Sequence, residues 1–395
     1  MALERPADTS SGQGNAEIPA ERTFAEFFAG IGLMRVGLES QGWKCTWAND
    51  FDPLKDRIYR ENFGADSIDP RDVRLVKGSE IPSVSLATAS FPCQDLSEAG
   101  PHNGIHGPRS NVYWEFLRVL EEMKGRRPPL VLVENVRGFM TRGFGADLVA
   151  AIKGLNDLGY TCDAILADAK HFVPQSRTRV FLIGVKGDLL EKAVRTKMSS
   201  GYRHTFRPER LREILRSPGL RTFETRLPNP PKLSVALSEV LEPEREVPSD
   251  FWFTDEEVRN HLQMMSPIDT DWLKAAPLHG RAFATMYRRM RGETQRPELR
   301  KDGLAGCLRV PRGGSSKQFL VISEKGDVKI RRLTGGELSR LMGVPRAFRL
   351  PTNYLETYKA LGDAVAVPVV EWLVARAITP LFEELRSIAP RMTAQ

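Results

Sequence analysis

The 395-residue chain is poor in the residues that staple, metallate or anchor a protein. Its four cysteines, Cys45, Cys93, Cys162 and Cys307, lie far apart with no CxxC pair. Neither a zinc site nor a disulfide framework is expected, and a reducing, cytoplasmic setting fits. No run approaches the length of apolar sequence that a membrane span needs, so no span is expected. Residues 1–21 lack an apolar signal core and read as a disordered tail. A GxGxxG dinucleotide fingerprint and internal repeats are also missing. What remains is ordinary globular material: 41% hydrophobic and 27% charged residues, long enough for a large core and two domains.

The net charge is +7 and it is unevenly placed. Residues 191–331 hold 27 Lys+Arg against 19 Asp+Glu, whereas the rest holds 30 against 31. An excess confined to one middle segment suits a polyanion-binding module inserted into a neutral enzyme, with an Arg-rich solvated surface as the plainer alternative.

From Arg22 to about Gly187 the chain alternates strand-like and helix-like stretches. "TFAEFFAG", "KCTWAND", "LATASF", "LVLVENV" and "RVFLIGV" read as strands; "GLMRVGLESQG", "VYWEFLRVLEEMKG" and "GADLVAAIKGLNDLG" read as helices. This predicts an α/β fold with a doubly wound, mostly parallel sheet. After about Glu191 the periodicity weakens, and helical pattern returns in "TGGELSRLMGVP" and "AVPVVEWLVARAITPLFEELRSI".

Ligands of open α/β sheets bind beyond the carboxyl ends of the strands. The first such end is "FFAGIG", where Phe28, Gly30, Ile31 and Gly32 form a turn that aims a helix N-terminus at a ligand. About 20 residues on, Asp50 is placed to bond ribose hydroxyls, with Phe51 beside it for a base to stack on; Asp72 is a further acidic candidate. Together they suggest an adenosine-bearing cofactor. In "LATASFPCQ", Pro92 ends a strand and presents Cys93 ahead of a Gly/Pro/Ser/Asn-rich loop, an arrangement that suits a nucleophile under a lid. A small buried Cys at a strand end remains open on that stretch alone. "ENV" puts Glu134 at the end of an apolar strand, where poor solvation favours the protonated acid. "QSRTR" puts Arg177 and Arg179 two apart, facing one side.

These residues resemble the cytosine carbon-5 DNA methyltransferases, bacterial and of restriction-modification type. "FAGIG", "FPCQ", "ENV", "QSRTR", "RRLTGGELSRLMGVP" and "LGDAVAVPVV" stand in that family's order. The resemblance implies transfer of a methyl group from S-adenosyl-L-methionine, leaving S-adenosyl-L-homocysteine, to carbon 5 of a flipped-out cytosine. It implies catalytic Cys93, Glu134, Arg179 (on the carbonyl oxygen) and Arg177 (on a backbone phosphate). It adds Val73, Phe91, Asp363 and Val365 to the cofactor candidates, and Gln94 and Ser97 of the closing loop to the DNA contacts. Two departures stand out: Gly362-Asp363 where the family usually has Gly-Asn, and Asp50 where it often has Glu. The implied organisation is a tail (1–21), a catalytic and cofactor domain (22–190), a target-recognition domain (191–331) and late motifs returning to the catalytic domain (332–395). Recognition is expected from a hairpin of "CLRV" and "FLVI", through Arg309, Arg312, Ser315, Ser316, Lys317 and Gln318. A monomer acting on double-stranded DNA beside a separate restriction endonuclease is the expected setting. A tRNA cytosine methyltransferase, or a regulator on this fold that has lost catalysis, are the alternatives.

Overall fold

The structure is a computed structural model that describes residues 18–92, 105, 111–187, 189, 205–275, 280–310 and 317–388. The first half builds one six-stranded sheet from β1 (Thr23–Phe27), β2 (Lys44–Asn49), β3 (Leu86–Ala89), β4 (Leu130–Val136), β5 (Tyr160–Asp168) and β6 (Thr178–Lys186). The strand order is β2-β1-β3-β4-β6-β5. Only β6 runs against its neighbours, so the sheet is the mostly parallel one expected.

Both faces are buried, which is why the strands read as apolar runs rather than alternating ones. Leu130 and Leu132 of β4 enter one core cluster, and Val131 and Val133 enter the other. The second face is covered by α3 (Val112–Glu122) and α5 (Ala146–Asp157), which follows the short α4 (Gly138–Thr141). The first is covered by α1 (Leu33–Glu39) and by α9 (Gly335–Leu341), α10 (Tyr354–Asp363), α11 (Val367–Leu373) and α12 (Thr379–Ile388). The stretch Tyr354–Ile388 is long and apolar enough to cross a membrane, which the sequence did not suggest, but 56% of its most apolar window is buried in the protein. α2 (Pro53–Phe63) starts on Asp52, whose carboxylate accepts from the Leu54 and Lys55 amides, with Pro53 at the first helical position.

One strand of this sheet went unforeseen. β5, "YTCDAILAD", carries Asp163 in its middle, yet that carboxylate is fully buried. It accepts from Arg207 Nε at 2.9 Å and from the Thr225 amide at 2.8 Å. A distant guanidinium makes the strand possible, and no local pattern reports it.

The middle of the chain forms helices α6 (Glu209–Leu215), α7 (Asp255–Met264) and α8 (Pro267–Ala275). It also forms an antiparallel sheet of β7 (Arg281–Arg291), β8 (Thr294–Arg300), β9 (Gln318–Glu324) and β10 (Asp327–Arg332), in order β10-β9-β7-β8. "FLVI" lies in β9, but "CLRV" does not pair with it: β9 pairs with β7 and β10. Instead Ala305–Val310 is a strap laid on the catalytic domain. The Ala305 amide donates to Pro174 O at 2.8 Å, Ser176 N to Ala305 O at 2.9 Å, and Leu308 N to Gln175 Oε1 at 3.1 Å. These bonds tie Ala305 and Leu308 to the segment before β6 rather than to β9. The late motif closes this domain onto the first: Arg331 and Glu337, both buried, pair through two contacts of 2.7 and 2.6 Å, and Thr334 and Glu337 form a capping box on α9.

Candidate active site

Glu134 stands near the carboxyl end of β4, 6% exposed. Arg179, opposite Val136 in the antiparallel pairing of β6 with β4, brings Nε to 3.0 Å from Glu134 Oε1. Burial pushes the Glu134 carboxyl up, against the pull of Arg179 and Arg177. The next residue, Asn135, donates from Nδ2 to Phe91 O at 3.2 Å. That bond ties the acid strand to the backbone just ahead of Pro92. Cys93, with Gln94 and Ser97, lies outside the described residues.

Arg177 and Arg179 do share a side, because both approach Cys307 Sγ, at 3.3 and 4.0 Å. Their roles separate there. Arg177 is 2% exposed. Its Nη1 donates to Leu308 O at 2.7 Å and its Nη2 to Gly362 O at 3.0 Å and to Ala364 O. A guanidinium spent on buried carbonyls cannot reach a DNA phosphate, so that expectation is corrected: Arg177 clips the strap and the end of α10 to the start of β6. Arg179 keeps 13% of its side chain exposed beside Glu134.

Cys307 is the neighbour that sequence reading missed. Burial raises its thiol, but Arg177, Arg179 and Arg309 outweigh that and bring it down to about 7. Little local signal marks it, since Arg177 and Arg179 lie 130 and 128 residues away.

The expected DNA-reading residues also divide. Arg309 is exposed next to this cluster. Gln318 is 4% exposed, and its Oε1 accepts from the Gly306 amide at 3.0 Å; it is a structural residue, not a reader. Lys317 places Nζ 5.9 Å from the centre of the Tyr354 ring, leaning on α10. Arg312, Ser315 and Ser316 lie outside the described residues.

A cavity opens beside the strand ends, lined by Phe28, Ala29, Gly30, Ile31, Leu33, Met34, Lys55, Ser90, Ala360, Asp363, Ala364 and Val365. Five expected cofactor residues, Phe28, Gly30, Ile31, Asp363 and Val365, therefore meet across more than 300 residues of chain. Gly30 takes φ 59° and a side chain there would enter open space, whereas at Gly32 (φ 84°) a Cβ would strike the Phe63 ring at 2.3 Å. The first glycine leaves room in the cavity and the second lets α1 pack on α2. Asp50 braces the turn: Oδ2 accepts from Gly30 N at 2.8 Å and Oδ1 from Asp52 N at 3.0 Å.

Gly32, Asp50, Phe51, Asp72, Val73 and Phe91 are not among the lining residues. Phe51 is 62% exposed, available for stacking. Asp72 caps a short 3-10 turn and pairs with Arg74 at 3.2 Å. Val73 and Phe91 are core, not cavity: Phe91 packs against Tyr113 and Phe139, with ring centres 5.1 and 5.7 Å apart. Those two expectations are corrected: Val73 opens a 3-10 turn and Phe91 lies just beyond β3, and both side chains pack into the second core cluster. Below the turn, Glu26 of β1 accepts from Arg35 N at 3.1 Å and from the Tyr59 hydroxyl at 2.9 Å. Burial pushes its carboxyl up to about 8.

A family model described as C-5 cytosine-specific DNA methylase matches residues 22–379. The chain is similar to the Type II methyltransferase M.HaeII of Haemophilus aegyptius, 27% identical over 367 residues covering 92% of this chain and 95% of that one. It is also similar to the Type II methyltransferase M.MspI of Moraxella sp, 26% identical over 349 residues, 88% of this chain and 68% of that one. Among solved structures it is similar to the methyltransferase EhMeth of Entamoeba histolytica, with TM-score 0.59, 17% identity and coverage of 93% and 99%. The S. pombe Dnmt2 methyltransferase gives TM-score 0.58 at 17% identity, covering 91% and 99%. At these identities the structural likeness speaks for the fold alone.

Proposed function

The chain belongs to the C-5 cytosine-specific DNA methylase family, and from that premise we propose which of its own residues carry the reaction. It is a DNA (cytosine-5-)-methyltransferase. In our reading Cys93 supplies the thiolate that adds to carbon 6 of the target cytosine, because carbon 5 is too weak a nucleophile until that addition makes the ring enamine-like. A stacked base hides carbon 6, so the cytosine leaves the duplex first. Glu134 holds a proton toward ring nitrogen 3 and neutralises the charge that develops as the adduct forms. Arg179 orients Glu134 and donates to the carbonyl oxygen on carbon 2. Arg177 holds the strap and α10 in place.

The observation that carries this reading is the buried Glu134–Arg179 pair beside the Phe91–Pro92 backbone, which Asn135 fixes directly ahead of Cys93. The lining of the cavity fits S-adenosyl-L-methionine, because it joins apolar walls to a cation and a carboxylate, Lys55 and Asp363. Phe28, Gly30, Ile31, Asp363 and Val365 would hold that group, which supplies the methyl when bound. After transfer the carbon-5 proton leaves and Cys93 is released from carbon 6.

We further read the protein as a cytoplasmic, monomeric modification enzyme paired with a separately acting endonuclease, in line with its Type II relatives. The test is transfer of labelled methyl groups to duplex DNA and to tRNA. The reading expects 5-methylcytosine at fixed sites in duplex DNA; label in tRNA alone, or none with Cys93 intact, overturns it.

A further inference from the structure

The residues expected to read DNA are partly buried, so the basic surface must be sought elsewhere in the middle segment. β7 and β8 form a two-stranded ribbon joined by the turn Gly292-Glu293. β8 is the edge of its sheet and carries Pro297, which an edge tolerates. The base of β7 is core: Ala284, Thr285 and Met286 are all fully buried. Further along, Arg289, Met290 and Arg291 are exposed, and so is Arg296 across the ladder. The ribbon therefore projects from its own domain.

Side chains alternate across the ribbon. Ala284 and Met286 face the small core under α7 and α8. Thr285 faces the other way: its cross-strand partner Leu320 belongs to the main core, and its hydroxyl donates to Leu304 O at 2.9 Å, at the start of the strap. Tyr287, Arg289 and Arg291 continue that second side, toward the catalytic sheet. On it Arg300 feels the charge of Asp168, at the end of β5. The base of the ribbon therefore lies near the end of β5, which pairs with the start of β6 where Arg179 stands.

Its charges are arranged against its own stability. Arg289 and Arg296 lie directly opposite each other in the antiparallel register, a like-charge cross-strand pair that is destabilising by itself. The nearest acid of that face, Glu298, is already engaged: Oε2 accepts from the Tyr287 hydroxyl at 2.7 Å, and Oε1 lies 2.6 Å from Arg291 Nη2. Arg300 turns to Asp302 at 2.8 Å, and Glu293 sits in the exposed turn. Arg289 also feels Tyr287 and Glu298, so one acid serves Arg291 and Arg289 while Arg296 faces them, a cationic excess that an external anion would neutralise.

We propose that the β7–β8 ribbon clamps the DNA duplex beside the flipped cytosine, with Arg289 and Arg296 gripping one or two backbone phosphates from opposite strands of the ribbon. The inference rests on the duplex-DNA reading above and assigns to this ribbon the hold that the 309–318 segment was expected to have. Phosphate contacts position the protein and do not read sequence. Such a hold suits the reaction, because contacts to the flanking backbone offset the cost of unstacking the target base.

The test compares wild type, R289Q/R296Q and R289K/R296K for binding to a 30-base-pair duplex over a salt series, alongside mapping of methylated sites. Each phosphate contact adds about 0.9 to the slope of log affinity against log salt. The Gln pair is expected to lose about 1 to 2 from that slope, methylate the same sites and melt no lower than wild type; the Lys pair should keep the slope. An unchanged slope in the Gln pair overturns the clamp. So does a changed choice of sites at unchanged slope, which would make the arginines base readers. A melting drop of many degrees would make them structural and equally overturn it. If wild type itself fails to methylate duplex DNA, the reading of the substrate falls, which this control separates from the clamp.

Discussion

The edge of the six-stranded sheet and the outer end of the β7–β8 ribbon both carry arginines, and they use them in opposite ways. At the sheet edge Arg177 and Arg179 are enclosed, bonded to carbonyls and to Glu134. On the ribbon Arg289 and Arg296 face solvent and each other. Chemistry on one ring atom needs groups held within fractions of an ångström, and burial with hydrogen bonds supplies that rigidity. Holding a polyanion needs charge that an outside phosphate can reach. The same residue type thus serves as frame in one region and as contact in the other.

The sharpest way to break this contrast is at the sheet edge. Cys93→Ser should abolish methyl transfer while duplex binding survives, since the hydroxyl is a far poorer nucleophile at neutral pH. Turnover within tenfold of wild type, about 1.4 kcal/mol of barrier, would end the nucleophile assignment. Glu134→Gln keeps shape and one donor but cannot transfer a proton. Single-turnover assays should show a loss of roughly 100-fold or more, with cofactor affinity nearly unchanged. Unfolding without a specific rate effect would make Glu134 core filler.

Stability separates the two uses of arginine. Arg177→Ala strands the buried carbonyls of Leu308, Gly362 and Ala364 and should cost about 3 kcal/mol or more in denaturant unfolding. Arg309→Ala, on the exposed side of the same strap, should fall within about 0.5 kcal/mol of wild type. Equal losses at both would erase the distinction between frame and contact.

Glu26 offers a test in pH. Its carboxyl is raised to about 8 in the fold from an ordinary 4.5, so the folded state favours the protonated form. The stabilisation is full below the ordinary carboxylate range and is lost as pH rises through about 8. The melting temperature of Glu26→Gln relative to wild type should therefore rise between pH 5 and pH 9. A flat difference would mean that Glu26 stays ionised. The smallest effect belongs to Asp363, whose Oδ2 lies 3.7 Å from Lys55 Nζ, with both side chains partly exposed. Asp363→Asn, the usual residue of the family, should shift cofactor affinity by no more than a few-fold in calorimetry, because a long, partly solvated pair contributes little. Loss of cofactor binding would show a site rebuilt around the carboxylate.

Much of the six-stranded sheet was legible because its strands are short and bounded by Gly, Pro and Asn; β3 and β4 are buried almost throughout, whereas the edge strand β2 mixes exposed and buried positions. The glycine turn, the acid at the end of β4 and the arginine pair were legible for a related reason: they stand at strand ends, where the fold class itself places ligands. β5 escaped because Asp163 depends on Arg207, 44 residues away. The hairpin expected at "CLRV" failed because Leu308 bonds to Gln175 and the preceding Ala305 to Pro174 and Ser176, a competition invisible from the local pattern.

By itself, then, the chain's order of apolar runs and turn residues pointed to an α/β sheet, and the motifs around Cys93, Glu134 and Arg179 carried the family resemblance that implied the class of chemistry. The first follows from short-range rules, side-chain periodicity and the missing amide of proline; the second from motif order along the chain. Tertiary structure alone decided that Arg177 is a buried clip, that Gln318 and Phe91 are core, that Cys307 lies between two arginines and that the exposed arginines stand on β7 and β8. Each of those outcomes depends on which distant backbone or side chain arrives at the spot. A residue's burial and partners are properties of that meeting, not of the residue's own neighbours in sequence.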